Sequence, residues 1–134
     1  MKRLLFIEPH CITYSNNLKL LRVELSINYT KIDFGYQPTE GQKEIGKIRI
    51  PKEAYLSLVN EKKKFKLIRA ENIPIAPKQH NFKTATDSFF FSLYFEPVPV
   101  KCCDLNLMEK EANAESGFTF YSIELDKKIQ FEIK

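Results

Sequence analysis

The chain has 134 residues, 43% hydrophobic and 13% aromatic, with 11 Phe, 6 Tyr and no Trp, and 21 Lys and Arg against 17 Asp and Glu give a net charge of +4. That length suits one domain, residues 1–134, able to bury a core without metal or disulfide staples. Four glycines and seven prolines exclude a fibrous or low-complexity chain, and the mild positive balance is only a faint pointer to a polyanionic partner.

Leu4–Ile7 is a short apolar stretch ended by Glu8 and Pro9. After Met1-Lys2-Arg3 it opens like an export signal, but it is shorter than the roughly 7–15 residues of a signal core. Either the protein stays inside the cell or a signal has been removed. No apolar run exceeds four residues, far below the ~20 of a spanning helix, so no membrane span is expected. His10–Asn17 reads as a connection or short strand. Then Leu21, Val23, Leu25, Ile27 and Tyr29 alternate with polar residues, the period of a strand with one buried face. After Thr30 the phase slips by one, to Ile32, Phe34 and Tyr36. A bulge near Thr30-Lys31 or a strand crossing to a second sheet would accommodate the slip.

Gln37–Gly46 is a loop and Lys47–Ile50 a brief strand. Pro51 opens a predicted short helix over Pro51–Val59, because Ala54 and Leu58, and Tyr55 and Val59, are four apart. Asn60–Lys63 turns into a strand over Lys64–Arg69. Its basic residues Lys62, Lys63, Lys64, Lys66 and Arg69 could form a phosphate patch. Phe65 and Leu67 alternate with Lys64 and Lys66, however, which favours a solvated turn and the outward face of an ordinary strand. Ala70–Ser88, broken by Pro74 and Pro77, is a long loop, either functional or simply mobile. Phe89–Glu96 is a strong strand with Phe89, Phe91, Leu93 and Phe95 on one face and Phe90, Ser92, Tyr94 and Glu96 on the other. Asp104–Glu109 is a strand and Lys110–Gly117 a loop. Phe118–Leu125 and Lys128–Ile133 are expected to form a hairpin across Asp126-Lys127. About eight strands and one short helix imply an all-β fold, a two-sheet antiparallel sandwich. Its core should include Val23, Leu25, Ile27, Phe91, Leu93 and Phe95.

Four stretches carry a family resemblance. They are Tyr14–Asn17 with the alternating Leu20–Phe34; Ile48–Lys52 with Tyr55-Leu56 and the turn into Phe65–Leu67; Phe91–Pro99, reading F-S-L-Y-F-E-P-V-P; and Asp104–Glu109 with Phe118–Leu125. Together they resemble a small immunoglobulin-like (Ig-like) β-sandwich module of Bacteroidota that carries an F-x-L-x-F-E-P-L-P motif. That module commonly stands in front of a thioredoxin-like domain on exported proteins. The resemblance implies an Ig-like sandwich, a non-catalytic role and an exported or periplasmic setting. Ser122 departs from the pattern, standing where the family often has glycine, and these 134 residues contain no thioredoxin-like domain, so no activity of such a domain is carried over.

Little in the chain assembles chemistry. Cys11, Cys102 and Cys103 form no C-x-x-C, and His10 and His80 lie far apart, so no metal site and no cofactor are expected. A disulfide between Cys102 and Cys103 would be strained. Cys11 could pair with one of them only if the first strand lay beside theirs. All four glycines are isolated, so no phosphate loop exists. Glu96 could act as an acid or base in a cleft, or cap backbone N–H groups of the Pro97–Pro99 turn, which is the better reading. No catalytic residue is assigned. Phe90 and Tyr94 share a strand face as candidate binding residues, either anchors for a protein or sugar partner or rings covered by the long loop or the helix. The expected function is that of a non-catalytic protein-binding or scaffolding module, with a protein partner and no nucleic acid. The alternative is a small ligand- or carbohydrate-binding domain, or a minor enzyme, with a pocket between the sheets.

Overall fold

The computed structural model describes residues 3–13, 18–36, 47–48, 52–72, 80–81, 89–101, 103–108, 119–125 and 130–133. Among them are twelve strands and no helix: β1 (Arg3–Ile7), β2 (Ile12–Thr13), β3 (Leu18–Leu25), β4 (Thr30–Tyr36), β5 (Lys47–Ile48), β6 (Tyr55–Leu58), β7 (Phe65–Glu71), β8 (His80–Asn81), β9 (Phe89–Phe95), β10 (Asp104–Met108), β11 (Phe120–Glu124) and β12 (Gln130–Ile133). Ten form one hydrogen-bonded series, β12-β1-β3-β4-β9-β7-β6-β10-β11-β2, and β5 and β8 pair separately. The pairings are antiparallel throughout.

The series curls because its two ends are tied together. β1 lies next to one end and β2 forms the other, yet only residues 8–11 separate them. The Glu8 N–H still donates to Leu21 C=O at 2.8 Å, on the β3 side. Two residues later His10 C=O already accepts the Glu124 N–H at 2.9 Å, on the β11 side. Glu8 makes the corner with φ 42°, and its carboxylate meets Lys19 Nζ at 2.8 Å. A second bend lies in β7, which pairs with β9 from Leu67 to Glu71 but with β6 through Phe65 and Lys66. Its register shifts between Leu67 and Arg69, a bulge that turns the strand from one part of the sheet to the other.

Curling brings inner faces together. The Phe34 ring stacks on Phe91 at 5.2 Å, and meets Phe120, from the far part of the series, at 5.6 Å. Val23, Leu25, Ile32, Leu93, Phe95, Leu105 and Ile123 complete a buried cluster around them. Alternation along the strands explains this set: β3 and β4 bury every second residue near their ends, which is what one solvated face requires.

Several expectations are corrected. Ile27 is not core but 62% exposed. The strand stops at Leu25, and Ser26–Tyr29 is a hairpin turn closed by Ser26 N–H to Tyr29 C=O at 3.1 Å. The Ser26 hydroxyl accepts the N–H groups of Asn28 and Tyr29, each at 3.2 Å. The phase slip at Thr30 is therefore a reversal of the chain rather than a bulge or a crossing. The short helix over 51–59 is absent: Lys52 and Glu53 lie in a turn and Tyr55–Leu58 is β6. The spacing-four stripe there loses to pairing, because Leu56 and Leu58 stand opposite Leu107 and Leu105 of β10. β11 and β12 form no hairpin; β12 pairs with β1, while β11 lies between β10 and β2. The loop expected over 70–88 is entered by β7 and contains β8. Residues 73–79 and 82–88 lie outside the described residues, as do the loops 37–46 and 110–117 and Cys102.

Ser122, the residue that departs from the family pattern, has φ 50°. There the register shifts between Leu105 and Leu107, so that Asn106 faces both Tyr121 and Ser122. The Asn106 side-chain oxygen accepts the Ser122 N–H at 2.9 Å. A bulge residue with positive φ is the position glycine fills without steric cost.

Candidate functional site

The outer face of β9 presents Phe90, Ser92 and Tyr94, and the register places each in a rung that runs across the sheet. One rung is Glu71, Ser92, Asp33, Arg22 and Ile7; the next is Arg69, Tyr94, Lys31, Glu24 and Leu5. In the first, Asp33 accepts a hydrogen bond from the Ser92 hydroxyl and one from Arg22 Nε at 2.6 Å, with Lys31 Nζ at 3.8 Å. In the second, Arg69 lies 4.2 Å and Lys31 5.7 Å from the Tyr94 ring centre. Tyr29 packs edge-on against the same ring at 5.3 Å. The Tyr29 hydroxyl donates to Glu24 at 2.6 Å, and Arg3 reaches the same carboxylate at 3.6 Å. The hydrogen bond to that carboxylate and partial burial raise the Tyr29 phenol above its ordinary value.

The two candidate residues therefore differ. Tyr94 is buried, 9% exposed, beneath charged and aromatic neighbours, while Phe90 is 62% exposed. Phe90 stands opposite Gly35, and its ring covers that glycine: a Cβ there would lie 3.2 Å from Phe90 and 3.4 Å from Leu21. The Asn72 side-chain amide donates to the Phe90 carbonyl. Around the ring is a depression of about 450 Å³, whose walls include Ile7, Leu21, Arg22, Asp33 and Ser92. Phe90, Leu21 and Ile7 contribute apolar surface to it, and the Arg22–Asp33–Ser92 chain, with Glu71 and Asn72, contributes polar groups. Gly35 escaped the sequence reading, and Leu21, expected on the buried face with Val23 and Leu25, is partly buried beside Phe90 on the outer one. An isolated glycine within a strand pattern does signal a close approach of another group, and Leu21 is the residue omitted where the β3–β4 register shifts.

The remaining candidates lie apart from this face. The Glu96 carboxylate accepts the Lys66 N–H at 2.8 Å, so it caps β7 rather than the Pro97–Pro99 turn. His10 Nδ1 meets Glu124 at 3.0 Å on the surface. Cys11 and Cys103 are thiols not joined to each other. Cys11 precedes β2, Cys103 C=O accepts the Leu125 N–H, and β11 stands between them. Burial pushes the Cys11 thiol up. No three metal-ligating side chains come together among the described residues, and no helix there is long and apolar enough to cross a membrane. Ser92 is held by a carboxylate that already contacts two cations, Arg22 and Lys31. No family model, curated protein or solved structure matches the chain.

Proposed function

We propose that the chain is a non-catalytic binding module, an Ig-like two-sheet sandwich that docks a protein partner on the outer face of β9. The observation that carries this reading is Phe90, a ring 62% exposed on a sheet face that also carries the Arg22–Asp33 and Arg3–Glu24 ion pairs. The ring rests on Gly35, with Leu21 and Ile7 beside it, and so presents a firm apolar anchor at low entropic cost. Aromatic anchors of this kind, once desolvated by a partner, each carry a few kcal/mol of binding. The neighbouring Arg22–Asp33–Ser92 chain supplies polar groups at the rim, as protein interfaces require.

Two packing features support the finer fold. The Phe34 ring, stacked on Phe91 of the neighbouring strand, meets Phe120 from a distant part of the sheet at a tilt of 48°, and β7 bends at its bulge from one part to the other. The positive φ of Ser122 supports the likeness to the Bacteroidota module, because glycine there would suit this backbone. The aromatic rings occupy the space where a pocket between sheets would lie, which favours a surface binder over a ligand carrier or enzyme. The test is a selection of random peptides on the immobilised chain, followed by binding to a Phe90→Ser variant. Selected peptides should lose at least about tenfold in affinity when Phe90 is replaced. A selected pool indifferent to Phe90 overturns the reading.

A further inference from the structure

The densest positive charge lies on the other flank of β7. β6 and β7 pair at Leu56–Phe65 and Tyr55–Lys66, and one more bond follows, Leu67 N–H to Ala54 C=O at 3.2 Å. Beyond it lies a groove of about 710 Å³, lined by Lys52, Glu53, Tyr55, Lys64, Lys66 and Leu67. The lining holds three ammonium groups and one carboxylate, Glu53, with exposed Lys62 and Lys63 adjoining and the Glu96 carboxylate bound at the Lys66 N–H. Two of the cations are held in place: Lys64 Nζ stands 4.7 Å from the Tyr55 ring centre, and Lys63 Nζ 5.1 Å from that of Phe65. Lys64 and Lys66 are two residues apart along an extended chain, which puts them on one face at roughly 7 Å spacing. From Arg69 to Glu71, β7 has a paired strand among the described residues only on its β9 side, and the adjacent Ile68 is 56% exposed.

We propose that this groove binds an extended, acidic segment of a partner protein, with alternate carboxylates set against Lys64, Lys66 and Lys52. Charge complementarity selects an anion, and the spacing of about 7 Å equals the same-side repeat of an extended peptide. A single-stranded nucleic acid would need a bare ring for stacking, whereas Tyr55 already carries the Lys64 ammonium. Ile68 offers the segment an apolar contact at the end of the groove. The proposal rests on the binding-module reading only in taking the partner to be protein, and it concerns a surface separate from Phe90.

The test titrates the full chain into a fluorescein-labelled peptide of alternating Thr and Glu and follows anisotropy at low and at physiological salt. The controls are an isomeric peptide with its Glu residues in one block, oligothymidine, and polygalacturonate. The alternating peptide should bind best and weaken as salt rises. Replacing Lys52, Lys64 and Lys66 together by Gln should weaken it at least about tenfold, with the melting temperature kept because the lysine heads are on the surface. Glu at the same positions should weaken it further. Phe90→Ser should leave it unchanged. No binding, equal binding of the block peptide, tighter binding of either polyanion, or dependence on Phe90 would overturn the proposal. Groove binding that persists while Phe90-selected peptides prove indifferent to Phe90 would sink the outer-face reading alone.

Discussion

Phe90 and Tyr94 occupy the same face of the same strand, and replacing each separately by Ser should split them. Phe90 is 62% exposed, so about 40% of a ring residue's roughly 200 Å² is buried, about 80 Å², or about 2 kcal/mol at 25 cal/mol/Å². Residual compactness of the unfolded chain lowers this to about 1.2–1.8 kcal/mol. Tyr94 is 9% exposed, which buries about 180 Å² and gives about 4.5 kcal/mol on the same scale, or about 3–4 after that correction. Loss of the Arg69 contact and the Tyr29 edge contact adds to it. Tyr94→Ser should therefore cost about 2–3 kcal/mol more than Phe90→Ser, in the range usual for truncating a core aromatic. For a chain of this size that is a melting-temperature gap of about 10 °C. Urea unfolding followed by circular dichroism, with equal m-values in both variants, measures it directly. Equal losses in the two variants would refute the argument, because Phe90 would then be covered in solution and could not serve as an anchor. A loss near zero for Tyr94→Ser would equally show that its cationic neighbours do not pack on it.

Three further outcomes follow from single sites. Ser122→Gly should leave stability unchanged or raise it by up to about 1 kcal/mol, while Ser122→Val should cost about 1–2, since a β-branched residue resists positive φ; equal melting temperatures for the two variants would contradict the bulge geometry. Cys11, its thiol pushed up by burial, should alkylate more slowly at neutral pH in the native chain than in urea, and mass spectrometry should find no Cys11–Cys103 link after mild oxidation; equal alkylation rates or that link would contradict its position. The Tyr29 phenol is raised by its hydrogen bond to Glu24 and by burial, so its contribution to stability is full below the unfolded-state value of about 10 and is lost as pH rises through the folded one. Tyr29→Phe should accordingly show a shallower alkaline fall in the urea midpoint than the parent chain, and identical slopes would remove Tyr29 from that role.

Much of the inner face was legible locally. Strict alternation in Val23 and Leu25, and in Phe91, Leu93 and Phe95, marks buried residues whatever the partner strand, because a strand's side chains alternate by geometry alone. An isolated Gly35 inside such a pattern likewise marks a close approach. What periodicity cannot supply is the identity of the neighbour. Ile27 continues the alternation perfectly, yet lies in a turn, because Ser26 satisfies the N–H groups of Asn28 and Tyr29 and lets the chain reverse. Residues 54–59 fit both a helical stripe and a short strand, and only the distant β10 decides between them. β12 pairs with β1 across most of the chain rather than with its neighbour β11. The same holds at the candidate site. Phe90 and Tyr94 are equivalent by sequence position, and what separates them is that Arg69 and Tyr29, brought in from β7 and from the β3–β4 turn, cover one ring and leave the other to solvent. Local chemistry determines which way a side chain faces; whether anything lies over it is set by the pairing of strands far apart in the chain.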